Sequence, residues 1–204
     1  MNRVDQIDSF GPRDLIYGEF NNIGAEIRYL NNYKLFGNES IFVIGSKLYF
    51  SNNISRQGPG SDLSDADFSF YDSEFPNYVN QSNYNYPNEN ISVFVENIIK
   101  PTENLSITPG LRLEYIDTNA DGSFERILQD AALNVIQHDT IYENKKNERL
   151  FLLSGVGISY DTANKLELYS NFSQNYRSVT FADISTVNPA YAIDPNIQDE
   201  SGFT

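Results

Sequence analysis

Strict two-residue alternation of apolar and polar side chains is the feature that most constrains the fold of this chain. It is clearest in LSITPGLRLEY, from Leu105 to Tyr115, where the odd positions hold Leu, Ile, Pro or Tyr and the even positions hold Ser, Thr, Gly, Arg or Glu. Successive side chains of a β-strand point to opposite faces of the sheet. The segment therefore predicts a strand with one apolar face and one polar face.

Five further segments show the same alternation, whereas helical periodicity is hard to find anywhere in the chain. They are Leu15 to Asn31, Ile41 to Asn52, Ile91 to Ile99, Leu150 to Tyr160 and Lys165 to Arg177. With Leu105 to Tyr115 they predict an all-β protein of about six strands, most of them about ten residues or longer.

The connections between these segments alternate in length. Short turns are predicted at Tyr33 to Glu39, Pro101 to Glu103 and Asp161 to Asn164, and long polar loops at Arg56 to Glu89, Thr118 to Glu148 and Ser178 to Thr204. Compact soluble domains rarely carry unstructured loops longer than about 15 residues. Short turns at one end and long loops at the other are typical of an outer-membrane β-barrel, with periplasmic turns and extracellular loops.

The charge is concentrated in the same three long segments. The chain has 28 acidic and 14 basic residues and a net charge of -14, of which the long segments carry -12, so the predicted strands are close to neutral. Aromatic residues near the ends of the apolar faces are consistent with girdles at the two membrane interfaces. These are Tyr17, Tyr29, Phe50, Tyr115, Tyr160 and Tyr176. Together these features favour part of an antiparallel transmembrane β-barrel over a soluble β-sandwich.

The composition excludes several classes of function. An acidic chain lacks the clustered Lys and Arg that nucleic acid requires, and the absence of cysteine removes thiolate chemistry. The single histidine, His138, falls in a predicted loop, and no carboxylate pair or nucleophile motif is present. We therefore predict no enzymatic activity, no catalytic residues, no cofactor and no metal site. Asp117 to Gly122 begins like a calcium loop, but Leu128 stands where the closing Glu is required, and a surface turn is the expected structure.

Three residues are candidates for ligand contact. Tyr84 and Tyr86 lie in NYVNQSNYNYPNEN, whose Tyr and Asn side chains suit either a ligand-facing loop or an ordinary extracellular loop of low hydrophobicity. Arg177 is predicted on the polar face at the extracellular end of the last strand. The other polar-face cations, such as Arg28 and Arg112, are expected to pair with neighbouring carboxylates.

Two segments resemble a known family. The stretch from Asn90 to Ile116 is similar to the strand, periplasmic turn and strand of TonB-dependent outer-membrane receptors, and LSITPGLRLEY is its most specific part. The stretch from Lys165 to Ile184 is similar to a strand of that family that reaches the cell surface. The closest resemblance is to the ferric-dicitrate and siderophore receptor group, which implies a Gram-negative outer membrane in a Bacteroidetes-like source.

The resemblance implies a barrel of about 22 strands around a plug domain. It also implies import of an iron chelate, such as ferric citrate or another siderophore, driven by the TonB complex through an N-terminal part. Residues 1–204 show no plug, TonB box or C-terminal strand, so we interpret them as a mid-barrel part in contact with outer-membrane lipid. We expect such a part not to fold stably alone. The alternatives are a passive outer-membrane barrel or porin and a soluble β-sandwich that acts as a surface-binding module.

Overall fold

A computed structural model describes residues 3–5, 11–63, 66–162, 166–186 and 197–204 of the chain. These residues form one antiparallel sheet of eight strands in the order of the sequence, β1 to β8. The strands are β1 (Arg3–Asp5), β2 (Asp14–Leu35), β3 (Asn38–Pro59), β4 (Ser82–Ile98), β5 (Leu105–Gln129), β6 (Val135–Asp161), β7 (Glu167–Arg177) and β8 (Glu200–Phe203), and one helical turn, α1 (Phe181–Ile184), follows β7.

The predicted all-β class is confirmed. The six predicted strands correspond to β2 through β7, and each pairs antiparallel with its neighbours in sequence. The short strands β1 and β8 extend the sheet at its two edges. The sheet is open within the described residues, because it runs from β1 to β8 without closing on itself.

The strands are longer than the alternation predicted, and two of the predicted long loops are wrong in extent. Most of Thr118 to Glu148 forms the continuing hairpin of β5 and β6, whose tip is a short turn around Asp130. Similarly, β3 continues to Pro59 and β4 begins at Ser82, so the segment between them is shorter than predicted. A strand of 25 residues extends roughly 80 Å at about 3.3 Å per residue, more than twice the roughly ten residues needed to cross a bilayer. The sequence did not reveal these extensions because both of their faces are polar.

The predicted turns are confirmed where the structure describes them. The first is a two-residue connection at Phe36 and Gly37, whose φ angles of 53° and 82° are those of the turn that matches the twist of a hairpin. The second joins β4 to β5, with an isolated bridge between Ile99 and Ile107 at its base. The third, at Asp161 to Asn164, lies half outside the described residues, with β6 ending at Asp161.

The strand register places the apolar side chains on one continuous face. Ile44, Val95 and Leu111 lie opposite one another across β3, β4 and β5, and Leu113 lies opposite Leu152 on β6. This face is exposed, as shown by Ile27 at 73% and Leu150 at 68% accessibility. Other exposed members are Ile23, Leu48, Val93, Ile158, Leu168 and Phe172. So large an exposed apolar surface requires hydrocarbon or protein against it.

The opposite face of the same strands is polar. Glu26, Lys47, Ser92 and Glu114 lie in one row across β2 to β5, and Phe151 follows on β6. We refer to this surface as the polar face and to the other as the apolar face. We call the end of the sheet away from the short turns after β2 and β4 the upper end. The few buried hydrophobic residues of the described chain lie mainly there, at Tyr84, Tyr86, Ala120 and Phe124. Among the described residues, no helix has the length and hydropathy of a membrane span.

Two local predictions are wrong. Asp117 to Gly122 is not a surface turn: it is continuous strand within β5, because both β4 and β6 pair with it. Tyr176 does not continue the apolar face of Phe172, since its ring stacks on Phe151 of the polar face with 3.6 Å between centroids. The ladder between β6 and β7 ends at the pair of Gly155 and Ser173, and beyond it Tyr176 is paired with Ser201 of β8.

Candidate functional site

The polar face carries charges that are paired along their own strands. Arg28 contacts Glu26, and Arg112 Nε lies 2.8 Å from Glu114 Oε2, as the sequence predicted for these cations. The Arg28 guanidinium also lies 5.7 Å from the centre of the Phe94 ring. Asn90 Nδ2 donates a hydrogen bond of 2.8 Å to Glu114 Oε1. These contacts give the lower part of the polar face a balanced, hydrophilic surface.

A groove of about 420 Å³ lies beside these charges, between β4 and β7. Small residues line it, among them Thr108, Gly110, Gly155 and Gly157, together with the Arg112 side chain. The short side chains leave backbone accessible on this part of the polar face.

The two candidate tyrosines lie higher on the polar face, on β4 rather than in a loop. The Tyr84 and Tyr86 rings are stacked with 5.8 Å between centroids and 8° between planes, and each residue is only 1% exposed. Tyr84 lies across Gly122 of β5, where a Cβ atom would come within 2.7 Å of its ring and 2.2 Å of the Asn83 carbonyl oxygen. Ala120 completes the cluster and is fully buried. Small residues on β5 thus make the space in which the tyrosine rings lie flat.

Glu143 of β6 is the acceptor at the centre of this upper site. Its Oε2 accepts hydrogen bonds from Tyr84 Oη at 2.6 Å and from the Thr186 amide at 3.1 Å. Its Oε1 accepts a bond from Thr186 Oγ1 at 3.0 Å and lies 2.9 Å from Lys145 Nζ. Tyr86 Oη lies 3.0 Å from Ser185 Oγ. The carboxylate therefore joins the strand wall to the segment that follows β7.

The electrostatics of this cluster keep Glu143 ionised and Tyr84 neutral. Burial raises the pKa of the Glu143 carboxyl, but hydrogen bonds from Tyr84, Lys145 and Thr186 outweigh burial and hold that pKa below its ordinary value. Burial, and then the hydrogen bond to Glu143, raise the pKa of Tyr84 well above the ordinary value for tyrosine. At neutral pH the pair is a phenol donating to a carboxylate.

Arg149 forms a second connection between β6 and the segment after β7. Its side chain is 6% exposed, and its Nη1 donates to the Val179 carbonyl oxygen at 3.0 Å and to Asp199 Oδ1 at 3.3 Å. Its Nη2 donates to Thr118 Oγ1 at 2.6 Å. Asp199 Oδ1 also accepts the Val179 amide at 2.8 Å.

Arg177 lies apart from this site. Its Nη1 is 3.6 Å from Glu200 Oε2 on β8, and the side chains of both partners are more than 70% exposed. The structure thus brings Tyr84 and Tyr86 together and leaves Arg177 at the exposed edge. His138 lies on β6 with its Nε2 3.0 Å from Glu125 Oε2. No group of three or more His, Asp or Glu side chains is arranged to hold a metal ion within the described residues.

Sequence reasoning missed Glu143, Arg149, Ser185 and Thr186. The stretch from Tyr142 to Arg149 is polar at almost every position, so alternation gives no sign of which side chains share a face. The contacts of Tyr86 and Tyr84 with Ser185 and Thr186 span 99 and 102 positions of sequence. Only the register of β4, β5 and β6 brings these residues together.

The family of the chain follows from comparison with known proteins. Residues 2–204 match the family model described as TonB dependent receptor-like, beta-barrel. The chain belongs to this family, whose members are ligand-binding transporters of the Gram-negative outer membrane that interact with TonB. No curated protein and no solved structure matches the chain significantly. Membership explains the exposed apolar face as the lipid-facing surface of a barrel and the polar face as its lumen-facing surface.

Proposed function

We propose that the 204 residues form part of the barrel wall of a TonB-dependent transporter that imports an iron chelate, such as ferric citrate or another siderophore. The family membership supports transport across the outer membrane. The open sheet supports a part of the wall, because further strands must pair with its edges before a barrel closes. The plug domain and the segment that contacts TonB then belong to the rest of the receptor.

The pairing of charges on the polar face is the observation that supports an anionic substrate. The carboxylates Glu89, Asp117 and Glu148 lie side by side on the upper extension of the apolar face, which we call the outward face. On the polar face, three of the described carboxylates, Glu26, Glu114 and Glu143, each contact a cation. These cations offset part of the negative charge of the interior, which an anionic chelate must approach.

The three ligand-facing candidates hold different positions in this proposal. Arg177 is exposed at the end of β7, where it is accessible to an anionic ligand. Tyr84 and Tyr86 lie higher on the polar face and are covered, so they can contact a ligand only when the segment over them moves. Arg177 is thus an exposed contact and the tyrosines are covered contacts.

Uptake of radioactive iron tests this function. The complete receptor that contains this wall is expressed in a host that lacks its own ferric citrate receptor, and uptake of ⁵⁵Fe-citrate is measured with and without TonB. We expect saturable, TonB-dependent uptake, and a several-fold higher half-saturation concentration for Arg177→Gln than for a matched Arg126→Gln variant. Absence of TonB-dependent uptake for ferric citrate and for a panel of siderophores would overturn the iron substrate.

A further inference from the structure

The outward face carries a second polar row well above its carboxylates, and we call it the upper row. One side chain of each of the strands β3, β4, β5 and β6 contributes to it, and the register places them opposite one another: Arg56, Asn83, Ser123 and Tyr142. Six residues of strand separate the upper row from Glu89, Asp117 and Glu148 on β4, β5 and β6. Six strand residues span roughly 20 Å. The upper row therefore lies far above the apolar face.

A groove of about 260 Å³ lies along the upper row, and we call it the outer groove. Its other wall is the connection between β3 and β4, which folds onto the outward face. Arg56 contacts the Asp72 carboxylate of this connection, and its guanidinium lies 4.0 Å from the centre of the Phe70 ring. A Cβ atom at Gly58, on the same face as Arg56, would meet both Phe70 and Asp72 at 3.1 Å. The outer groove is thus on the outside of the wall and does not face the lumen.

The charged groups of the outer groove already have partners. Arg56 is paired with Asp72, and Glu125 accepts a hydrogen bond of 3.0 Å from Thr140 Oγ1 and lies 3.0 Å from His138 Nε2. An anion would have to displace Asp72, and a cation would have to displace His138. The groove therefore favours a neutral solute.

Three neutral groups of the upper row are available to such a solute. The Asn83 amide and the Ser123 hydroxyl line the groove and make no hydrogen bond within the described residues. Tyr142 lies opposite Ser123, about 5 Å away between Cβ atoms, and is 81% exposed. The amide and the hydroxyl can each donate and accept, and the tyrosine adds a flat apolar surface.

These properties match a sugar ring. Each sugar hydroxyl both donates and accepts a hydrogen bond, and the C–H groups of the ring pack against an aromatic face. Since one water occupies about 30 Å³ of liquid, a groove of about 260 Å³ has room for one ring.

The height of the outer groove indicates where the sugar comes from. With strands tilted by about 40°, the upper row stands roughly 15 Å above the carboxylates of the outward face. Phospholipid headgroups add only about 5–8 Å beyond the hydrocarbon on each side of a bilayer. Of the lipids around a barrel, only a glycolipid whose saccharide chain extends into the medium reaches this height.

We propose that the outer groove is a sugar-binding site and that its occupant is the saccharide chain of a glycolipid in the outer leaflet. Asn83 and Ser123 bind the hydroxyl groups, and Tyr142 packs against the ring. The site lies outside the lumen, so it is separate from transport and does not depend on which solute is imported.

Calorimetric titration of the complete receptor tests this site. The receptor is refolded from inclusion bodies into detergent micelles, so that it carries no glycolipid from a cell. The first probe is the polysaccharide of the bacterium's own lipopolysaccharide, released from its lipid by mild acid. The second is a linear glucan that is not attached to a membrane. We expect saturable binding of the polysaccharide and at least about tenfold weaker binding of the glucan.

Variants of the upper row assign the binding to the groove. Asn83→Ala, Ser123→Ala and Tyr142→Ala should each raise the dissociation constant of the polysaccharide about fivefold, whereas Tyr142→Phe retains the ring and should bind like the parent. Asn144→Ala is the matched control, because Asn144 is an exposed residue on the same face of β6, two positions below Tyr142. It should leave binding unchanged.

The outcomes decide both parts of the proposal. Absence of polysaccharide binding, or an equal effect of Asn144→Ala and Tyr142→Ala, overturns the sugar site. Equal or tighter binding of the glucan overturns the glycolipid as the occupant. Tyr142 is largely exposed, so Tyr142→Ala still decides the outcome if a substitution at position 83 or 123 prevents folding.

Discussion

The two faces of the same six long strands find their stabilising partners in different places. The apolar face exposes large side chains such as Ile27 and Leu150, and the described chain provides nothing to cover them. The polar face finds its partners within the chain, often from distant sequence, as in the contact of Glu143 with Thr186. The side chains of the apolar face are therefore stabilised by the bilayer. Those of the polar face are stabilised by neighbouring strands, as the register aligns them, and by the segment after β7.

The strongest test of this difference places a positive charge on each face in turn, at two adjacent positions of one strand, and compares the loss of stability. Phe172 lies opposite Val156 on the apolar face of β7, and Asn171 precedes it on the polar face. In the complete receptor, Phe172→Arg should lower the free energy of unfolding by about 2–4 kcal/mol, the cost of Arg near the middle of a bilayer. Urea unfolding in lipid vesicles measures this loss.

Asn171→Arg is the matched control, because Asn171 lies opposite Gly157 at the edge of the open groove. It should change the free energy of unfolding little. Equal losses for the two variants would mean that β7 does not present one face to lipid.

A second prediction concerns the packing of the upper polar face. A Cβ atom at Gly122 would lie 2.2 Å from the Asn83 backbone oxygen, which cannot move without distorting β4. Gly122→Ala should therefore cost about 1–3 kcal/mol, as overpacking does elsewhere. Thermal unfolding of the receptor in detergent measures the change.

Gly157→Ala provides the comparison on the same face. Its added Cβ would meet Thr108 Cβ at 3.8 Å, an ordinary van der Waals contact. Alanine in an extended strand loses less conformational freedom than glycine, so stability should stay the same or rise slightly. A loss at position 157 as large as that at position 122 would contradict the packing of Tyr84 on Gly122.

A third prediction follows from the ionisation of Glu143. Since its pKa in the folded state is below its ordinary value of 4.5, the contribution of the ionised carboxylate is present above that value and is lost as pH falls through the lowered pKa. The contact between Glu143 and Thr186 should therefore persist from neutral pH down to about pH 5 and weaken only in more acidic solution.

Hydrogen exchange of the Thr186 amide, corrected for the intrinsic rate, measures this weakening, because that amide donates to Glu143. In Glu143→Gln the exchange should be faster at neutral pH and lose its dependence on acid. Faster corrected exchange in the parent between pH 7 and pH 5 would show that a group other than Glu143 holds the Thr186 amide.

The smallest effect is expected at an exposed ion pair of the outward face. Lys146 Nζ lies 2.6 Å from Glu148 Oε1, but both side chains are about half exposed and solvent screens their attraction. Glu148→Gln, which leaves the contact of Lys146 with Asp117 in place, should leave thermal unfolding within experimental error at physiological salt. A clear loss of stability would mean that the outward face above the apolar residues is less hydrated than the exposure indicates.

Alternation was sufficient to predict the parts of β2 to β7 in which one face is apolar. It failed in the upper strands: from Asp117 to Gly122 the Asp, Asn and Gly residues are typical of turns, yet pairing with both neighbours keeps the segment extended. The same limitation applied to the site. Tyr84 and Tyr86 were recognised by composition, but their burial depends on Gly122 and Ala120 of β5 and on Glu143 of β6, which only the register can identify.

Adjacent leucines on β6 test the central assignment of the two faces most directly. Leu152 lies opposite Leu113 on the apolar face, and Leu153 lies opposite Arg112 on the polar face. A nitroxide spin label is attached to Leu152→Cys or to Leu153→Cys in the receptor in lipid vesicles, and its collisions with oxygen and with a water-soluble nickel complex are compared. The label at position 152 should collide more with oxygen, and the label at position 153 should show a clearly lower ratio of oxygen to nickel collisions. Equal ratios, or a reversed order, would contradict the assignment of the apolar face to lipid.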